Sequence, residues 1–357
     1  MPLLQVDLNG LWCEPGGFHV DPWSPVSQAL ITHGHSDHAR RGSQAYLCAA
    51  PSESVLRARL GPDIRLETLN YGETRTIGNV AVSFHPAGHL LGSAQIRIEH
   101  RGEVWVASGD YKLAPDPTCL PFEPVRCHTF VTESTFGLPI YRWPEQASVT
   151  ASIHEWWRNN RRHGKASVLF AYPLGKSQRV LAALDAATGP IFCHGAVESI
   201  NRIYRASGVA LPETLYTGSV ERDYDWSKAI IIAPPSAHGS PWMKRFGAVS
   251  TGFVSGWMRI RGTRRRRSID RGFVISDHAD WPGLQQAISA TGAECVLVTH
   301  GYRAPLVRWL EEEKGIQSQA LETRFEGERD EGAATSPGED MDLAADVEPG
   351  ANSGATG

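Results

Sequence analysis

A chain of 357 residues with 41% hydrophobic and 21% charged residues has the composition of a soluble globular protein and is long enough for two domains. It contains no apolar run of the 18 or more residues that cross a membrane, and its start, MPLLQVDLNG, lacks the basic and apolar segments of a secretion signal. The six cysteines show no paired C-x-x-C spacing, so we expect reduced thiols in a cytoplasmic protein with no membrane partner.

The net charge of −4 is distributed unevenly along the chain. Nine acidic residues and one arginine lie between Glu326 and Gly357, which gives that segment −8 and leaves +4 for residues 1–325. Residues 325–357 are rich in glycine, alanine, proline and acidic residues and offer little to bury, so we expect a disordered acidic tail. The mildly basic remainder is compatible with an anionic substrate.

The first chemical motif is ALITHGHSDHAR, at residues 29–40. It places His33, His35, Asp37 and His38 directly after an apolar run that is typical of a buried strand. Neutral imidazole and carboxylate are both zinc ligands, and a divalent ion would relieve the crowding of these groups. In an extended chain His33 and His35 point the same way, whereas Asp37 and His38 turn into the next element. The spacing therefore predicts two metal ions rather than one.

Several later apolar runs also end at residues that bind metals or move protons. These residues are His89, Asp110, Glu133, Asp277 with His278, and His300. In layered α/β proteins the loops at strand ends converge over a rigid sheet, where active sites form. We therefore expect these side chains to gather at one site.

The segment between residues 134 and 276 alternates strand and helix patterns, which predicts a small parallel sheet. Its sequence LGKSQR has part of a nucleotide-binding loop, but Phe170 occupies the position where that motif needs a glycine, five residues before Gly175. We interpret Lys176, Ser177 and the nearby backbone N–H groups as a candidate site for one phosphate.

An arginine-rich run, MRIRGTRRRRSIDR, leads directly into GFVISDHAD. Charge runs usually form solvated loops, and that alternative remains open here. Arginines close to a metal site are well suited to bind the phosphates of a nucleic acid. The residues predicted to do so are Arg264, Arg265, Arg266 and Arg267.

In chain order, HGHSDH, AGHLLGSAQ, SGDY, TESTFG, SDHAD and VTHG resemble the motifs of β-CASP members of the metallo-β-lactamase superfamily, most closely the bacterial ligase-associated DNA exonucleases. The resemblance spans about residues 5–320. HGHSDH alone is shared with lactamases and thioesterase-type hydrolases, while the later motifs are far more specific. The resemblance implies an α/β fold: a metallo-β-lactamase αββα sandwich in residues 1–138 and 271–324, with a β-CASP α/β domain inserted at residues 139–270.

The same resemblance implies two zinc ions, or other divalent ions, with Asp110 bridging them. The ligands of the first ion would be His33, His35 and His89, and those of the second would be Asp37, His38 and His300. Asp21, in the sequence FHVDP, would contact a metal ligand rather than a metal ion and fix the orientation of that ligand. Glu133, His278 and Asp37 are implied as catalytic residues, with His278 as the proton donor to the leaving oxygen and Glu133 holding its ring.

The function that the resemblance implies is metal-dependent hydrolysis of phosphodiester bonds, as a DNA exonuclease in DNA repair working with a DNA ligase and a helicase. His300 favours an RNA-processing ribonuclease instead, because eukaryotic DNA-processing β-CASP enzymes typically carry an apolar residue there. The arginine-rich region favours DNA. A small-molecule thioester or lactam hydrolase would not explain the inserted domain, and a non-catalytic binding subunit is disfavoured because every ligand position is filled.

Overall fold

The computed structural model describes residues 2–260 and 268–324, and the chain in these ranges forms three sheets and surrounding helices. The predicted acidic tail of residues 325–357 and the run Arg264 to Arg267 lie outside the described residues. A mixed α/β fold is therefore confirmed for the described ranges. None of the helices in these ranges is long and apolar enough to cross a membrane.

The first sheet carries the opening motif at the end of its fourth strand. Its strands follow one another in chain order: β1 Gln5–Val6, β2 Leu11–Cys13, β3 Phe18–Val20, β4 Gln28–Ile31, β5 Ala45–Ala49 and β6 Leu66–Leu69. β3 to β6 run parallel, and α1 (Glu53–Leu60) connects β5 to β6. The last three residues of β4 are apolar and buried, as expected for an inner strand of a parallel sheet.

The second sheet has the strand order β19-β18-β11-β10-β9-β8-β7. Its strands are β7 Thr74–Ile77, β8 Val80–Pro86, β9 Ala94–His100, β10 Glu103–Ala107, β11 Thr129–Thr132, β18 Cys295–Val298 and β19 Gln317–Ala320. β7 to β10 form antiparallel pairs, while β10, β11, β18 and β19 run parallel. The carboxyl ends of these parallel strands, and the loops that follow them, lie at one edge of the second sheet.

The first two sheets pack face to face. The core between them includes Phe18, Leu30 and Leu47 from the first sheet and Phe84, Ile96, Ile98 and Trp105 from the second. α1 covers the outer face of the first sheet, and two helices cover that of the second, α5 (Trp281–Thr291) and α6 (Arg303–Lys314). Burial of both faces keeps the strand ends rigid.

The third sheet is wholly parallel, which confirms the prediction of a small parallel sheet. Its order is β14-β13-β15-β12-β16-β17, with β12 Ala166–Phe170, β13 Ile191–Cys193, β14 Leu215–Tyr216, β15 Ile230–Ala233, β16 Val249–Val254 and β17 Arg271–Phe273. Its α-helices are α2 (Gln146–Arg162), α3 (Lys176–Ala182) and α4 (Gly195–Ala206). α2 buries a stripe of side chains at helical spacing, Val149, Ile153, Trp156, Trp157 and Asn160.

The strands of the third sheet lie in the chain between two strands of the second sheet that are neighbours in space. β11 and β18 are parallel neighbours, with Thr129 opposite Cys295, although all the strands of the third sheet lie between them in the chain. β17 pairs with β16 in the third sheet. The boundary at residue 271, where the returning segment is expected to begin, stays a prediction.

Candidate metal centre

The ends of the strands meet as the sequence predicts. Among the described residues, four groups of side chains offer nitrogen or oxygen atoms within 4.8 Å of one another, and three of the groups contain Asp110. These three are His33, His35, His89 and Asp110; His38, Asp110 and His300; and Asp110, Glu133 and His278. Asp110 connects these three groups, and the fourth group, His89, Asp277 and His278, shares two residues with them, so the structure assembles one continuous polar centre.

The imidazoles of His33, His35 and His89 point toward one another. His35 Nδ1 lies 3.2 Å from His33 Nε2 and 3.1 Å from His89 Nε2. The far nitrogens of two of these rings face carbonyl oxygens: His35 Nε2 lies 3.2 Å from Leu174 O and His89 Nδ1 lies 2.9 Å from Asp277 O. A carbonyl only accepts, so these far nitrogens donate and the near ones carry lone pairs.

His33 also donates a hydrogen bond from the ring nitrogen that points away from the other imidazoles, and its acceptor is a hydroxyl group. The Thr32 hydroxyl donates to Asp21 Oδ2 at 2.6 Å, which leaves its oxygen as an acceptor for His33 Nδ1 at 3.1 Å. Burial lowers the pKa of His33 well below its usual value and lowers that of His89 to about 3. The rings are therefore neutral, and three lone pairs converge on one point. A divalent cation suits this donor set, because the lone pairs would otherwise repel.

His38 presents a further nitrogen on the other side of Asp110. Its Nδ1 donates to Asp21 Oδ2 at 2.7 Å, so Nε2 faces Asp110 Oδ2 at 3.5 Å and Asp37 Oδ2 at 3.7 Å. His38 Nε2 is buried and, among the described residues, has no hydrogen-bond partner. The ring of His300 lies 5.4 Å from that of His38, and a cavity lined in part by Asp37, His38 and His300 adjoins the group.

The charges around His38 favour a cation at this position. Burial disfavours a charged imidazole, but the carboxylates of Asp110, Asp37 and Asp21 outweigh it and raise the pKa of His38 well above its usual value. A positive charge is thus stabilised between His38 and Asp110. A proton or a metal ion can supply it, and the unpaired Nε2 makes the donor set suitable for a metal ion.

Asp110 lies between the two groups of imidazoles. Its Oδ2 is 3.5 Å from both His33 Nε2 and His38 Nε2, and 3.8 Å from His89 Nε2. The preceding Gly109 has φ +56°, and a Cβ there would lie 2.6 Å from the Thr32 side chain. Only glycine allows the loop after β10 to approach the end of β4 this closely, so Gly109 helps to bring Asp110 between the imidazoles.

Glu133 and His278 form a buried pair next to Asp110. His278 Nδ1 donates to Glu133 Oε2 at 2.9 Å, and the backbone N–H of Tyr111 fixes Glu133 Oε1 at 2.8 Å. Trp143 Nε1 donates to the carbonyl oxygen of His278 at 3.0 Å. Burial disfavours the imidazolium, but the carboxylates of Glu133 and Asp110 outweigh it and raise the pKa of His278 to about 10.

Lys176 and Ser177 lie at the first turn of α3, inside the protein. Both are buried; Lys176 Nζ lies 3.2 Å from Asp277 Oδ1, and the Ser177 hydroxyl donates to Tyr172 O at 2.7 Å. A phosphate bound here would have to displace these contacts inside the protein, and the interpretation of this loop as a phosphate site stays a prediction. The packing of α3 beside Asp277, which the local sequence does not reveal, buries both side chains.

Sequence reasoning missed three groups that hold the imidazoles: the hydroxyl of Thr32 and the carbonyl oxygens of Leu174 and Asp277. Thr32 directly precedes His33, so its contact was open to a sequence argument. The carbonyl of Leu174 is 139 positions from His35, and backbone contacts carry no signature of residue type. Such contacts follow from the packing of the third sheet.

Comparison with known proteins gives relatives but no matching protein family model. A protein of Opitutus terrae named "Probable DNA ligase" is 30% identical over 319 residues, which is 88% of this chain and 30% of that protein. An "RNase J-like protein" of Methanocaldococcus jannaschii is 25% identical over 184 residues, 45% of this chain and 44% of that protein. An "Endoribonuclease YSH1" of Gibberella zeae is 28% identical over 203 residues, 45% of this chain and 24% of that protein.

These relatives support the β-CASP superfamily. The chain spans less than half the length of the curated relatives named above, and the ligase-named relative lends only weak support to a ligase-associated group. In fold, the chain resembles the crystal structure of a protein of unknown function from Enterococcus faecalis, with a TM-score of 0.55, 12% identity, and coverage of 84% of this chain and 80% of that one.

Proposed function

We propose that this protein is a metal-dependent nuclease that hydrolyses the phosphodiester bonds of DNA as an exonuclease, in DNA repair together with a DNA ligase. The observation that carries the proposal is the position of Asp110, whose Oδ2 lies 3.5 Å from imidazole nitrogens of two separate groups. A carboxylate shared in this way suits two divalent cations held side by side, an arrangement that enzymes of phosphoryl transfer use widely.

The proposed ligands follow from the lone pairs described above. His33, His35 and His89 would hold one ion, His38, His300 and Asp37 the other, and Asp110 both. Zinc suits a set that is mostly imidazole. When bound, such ions act as Lewis acids that favour attack of water on phosphorus and offset the charge that develops on the phosphate.

The side chains of the protein supply orientation and a proton. Asp21 holds the His38 ring through Nδ1, which directs Nε2 toward Asp110. Glu133 holds the His278 ring in the same way and keeps it protonated. As the bond from phosphorus to the sugar oxygen breaks, His278 would donate a proton to that oxygen, which is the step a general acid accelerates about 10²–10⁴-fold.

The family arrangement is also part of the proposal: a metallo-β-lactamase sandwich formed by the first and second sheets, with the third sheet as the β-CASP domain. The face-to-face packing of two sheets with helices outside supports it, as does the adjacency of β11 and β18. The third sheet would then form the second wall of a nucleic-acid cleft. Arg264 to Arg267, outside the described residues, are proposed to bind phosphates beside it.

RNA is the second candidate substrate. Two of the relatives named above are an RNase J-like protein and an endoribonuclease, and His300 occupies the position that suggested RNA from the sequence. DNA is favoured because the relative named a DNA ligase matches 88% of this chain, whereas those two each match 45% of it.

The proposal is tested with one matched set of substrates. Labelled single-stranded DNA, duplex DNA, RNA of the same sequence and a thioester are incubated with the protein, with and without a chelator, and with His278→Ala as the catalytic control. We expect chelator-sensitive shortening of DNA from one end, slower action on RNA, and no thioester hydrolysis. Faster RNA cleavage would establish the second candidate, and hydrolysis of the thioester alone would refute both.

A further inference from the structure

One short segment that follows β12 of the third sheet, from Leu174 to Lys176, lies beside the candidate metal centre. Leu174, in the loop between β12 and α3, contacts His35, which follows β4, and Lys176, at the first turn of α3, contacts Asp277, which lies between β17 and α5. Leu174 O accepts from His35 Nε2 at 3.2 Å, and Lys176 Nζ lies 3.2 Å from Asp277 Oδ1. The segment thus holds one candidate ligand directly and reaches a second one through Asp277.

The connection to the second ligand runs through the backbone of Asp277. His89 Nδ1 donates to Asp277 O at 2.9 Å, and that bond keeps the lone pair of His89 Nε2 directed at His35. Lys176 contacts the side chain of the same Asp277. Lys176 therefore anchors the residue whose carbonyl oxygen sets the orientation and protonation of His89.

The Lys176–Asp277 pair lies wholly inside the protein. The side chain of Lys176 is 1% exposed and that of Asp277 is 2% exposed, and the ammonium group also lies 4.6 Å from the centre of the Tyr172 ring. Replacement of one partner removes the opposite charge that the other partner faces inside the protein, and the remaining group moves or draws in water. Any such movement displaces the carbonyl oxygen that accepts from His89.

We propose that Lys176 and Asp277 are a positioning pair that sets the metal affinity of the site formed by His33, His35 and His89. The proposal rests on the proposed function only in taking these imidazoles as metal ligands. Replacement of groups that contact metal-binding imidazoles and fix their orientation typically changes the metal affinity about 10–100-fold.

The test is a double-mutant cycle read by metal binding. The full chain and its variants Lys176→Met, Asp277→Asn and Lys176→Met with Asp277→Asn are stripped of metal, and Zn²⁺ affinity is measured by competition with a chromophoric chelator. We expect each single variant to bind one of the two ions about tenfold more weakly. The double variant should recover to within about threefold of the wild type, because neither charge is left unpaired.

A matched control comes from the next buried ion pair on α3. Arg179 Nη2 lies 2.7 Å from Asp116 Oδ2, both side chains are buried, and neither residue is seen to contact a candidate ligand among the described residues. Arg179→Met should lower the melting temperature as Lys176→Met does, while leaving Zn²⁺ affinity unchanged. The absorption spectrum of bound Co²⁺, which reports ligand geometry, should change in Lys176→Met and remain unchanged in Arg179→Met.

Two outcomes would overturn the proposal. One is a Lys176→Met protein that melts at a lower temperature but binds Zn²⁺ as the wild type does, which would make the pair merely structural. The other is a double variant that binds no better than the worse single variant. Nuclease activity is measured separately: a wild-type protein that binds Zn²⁺ but cleaves no nucleic acid would refute the proposed function and leave the positioning pair standing.

Discussion

Asp21 Oδ2 accepts a hydrogen bond from His38 Nδ1 at 2.7 Å, and the same oxygen accepts from the Thr32 hydroxyl at 2.6 Å. Asp21 Oδ1 accepts from the backbone N–H of Thr32 at 2.8 Å. One carboxylate thereby fixes the end of β4 and the imidazole that faces Asp110. Asp21 has φ +44°, a conformation that costs free energy in a non-glycine residue and persists where the surrounding contacts hold it.

This relationship predicts that Asp21→Asn weakens binding of one metal ion. Asparagine keeps the shape but loses the charge that secures the His38 N–H, so we expect about 10–100-fold lower affinity at that ion and little change at the other. Stepwise Zn²⁺ titration with a competing chelator measures both. Asp7→Asn is the control, because Asp7 Oδ2 binds His19 at 2.9 Å in a similar pair away from the centre. Equal effects of the two variants would refute the orienting role.

The shared position of Asp110 predicts that Asp110→Asn is more damaging than Asp37→Asn. Asp110 Oδ2 lies near nitrogens of both groups, whereas Asp37 has its closest imidazole nitrogen at 3.7 Å, on His38. We expect Asp110→Asn to reduce metal content from two ions toward none and Asp37→Asn to reduce it toward one. Elemental analysis gives the content, and cleavage of labelled DNA gives the activity. One ion per wild-type chain with full activity would rule out the two-ion arrangement.

The Glu133–His278 pair predicts a pH dependence with a defined sign. His278 must carry a proton to act as an acid, so activity is present below its pKa and is lost as the pH rises through about 10. Glu133 raises that pKa, and Glu133→Gln should therefore move the loss of activity to lower pH by about one unit or more. Rates at saturating DNA, measured from neutral pH to about one unit above the pKa of His278, give the shift.

The control for this shift is Glu53→Gln, which removes a carboxylate from the surface pair of Glu53 with Arg57 on α1. Its pH profile should match that of the wild type, and its metal content and that of Glu133→Gln should both stay at two ions. A Glu133→Gln profile whose basic limb remains in place would mean that a group other than His278 supplies the proton.

The arginine run predicts a change in the salt dependence of DNA binding without a change in the rate of cleavage. If Arg264 to Arg267 bind phosphates, their replacement with alanine should reduce the slope of log affinity against log salt by about 0.9 for each duplex phosphate that is no longer neutralised. The rate at saturating DNA should stay within about twofold of the wild type, because these side chains take no part in the chemistry. Arg308→Ala is the control, since Arg308 is an exposed arginine paired with Glu312 on α6. An unchanged affinity and slope in the quadruple variant would assign the run to a solvated loop.

The sequence by itself determined the local parts of the candidate centre. Apolar runs followed by His33, His89, Asp110 and His300 specify strands that end near side chains able to bind a metal, because strand periodicity and ligand chemistry are both local properties. The parallel third sheet was also predictable, from alternating strand and helix patterns. Strand ends of a layered fold meet at one edge, so their convergence followed as well.

Only the tertiary structure decided what holds those ligands in place and where Lys176 points. His35 and Leu174 are 139 positions apart, and His89 and Asp277 are 188 positions apart. The groups that accept from both imidazoles are backbone carbonyl oxygens, which every residue carries, so no residue type marks them. Lys176 was interpreted as a phosphate ligand because it follows a loop and opens a helix, and only the packing of α3 shows that it is also an internal partner of Asp277.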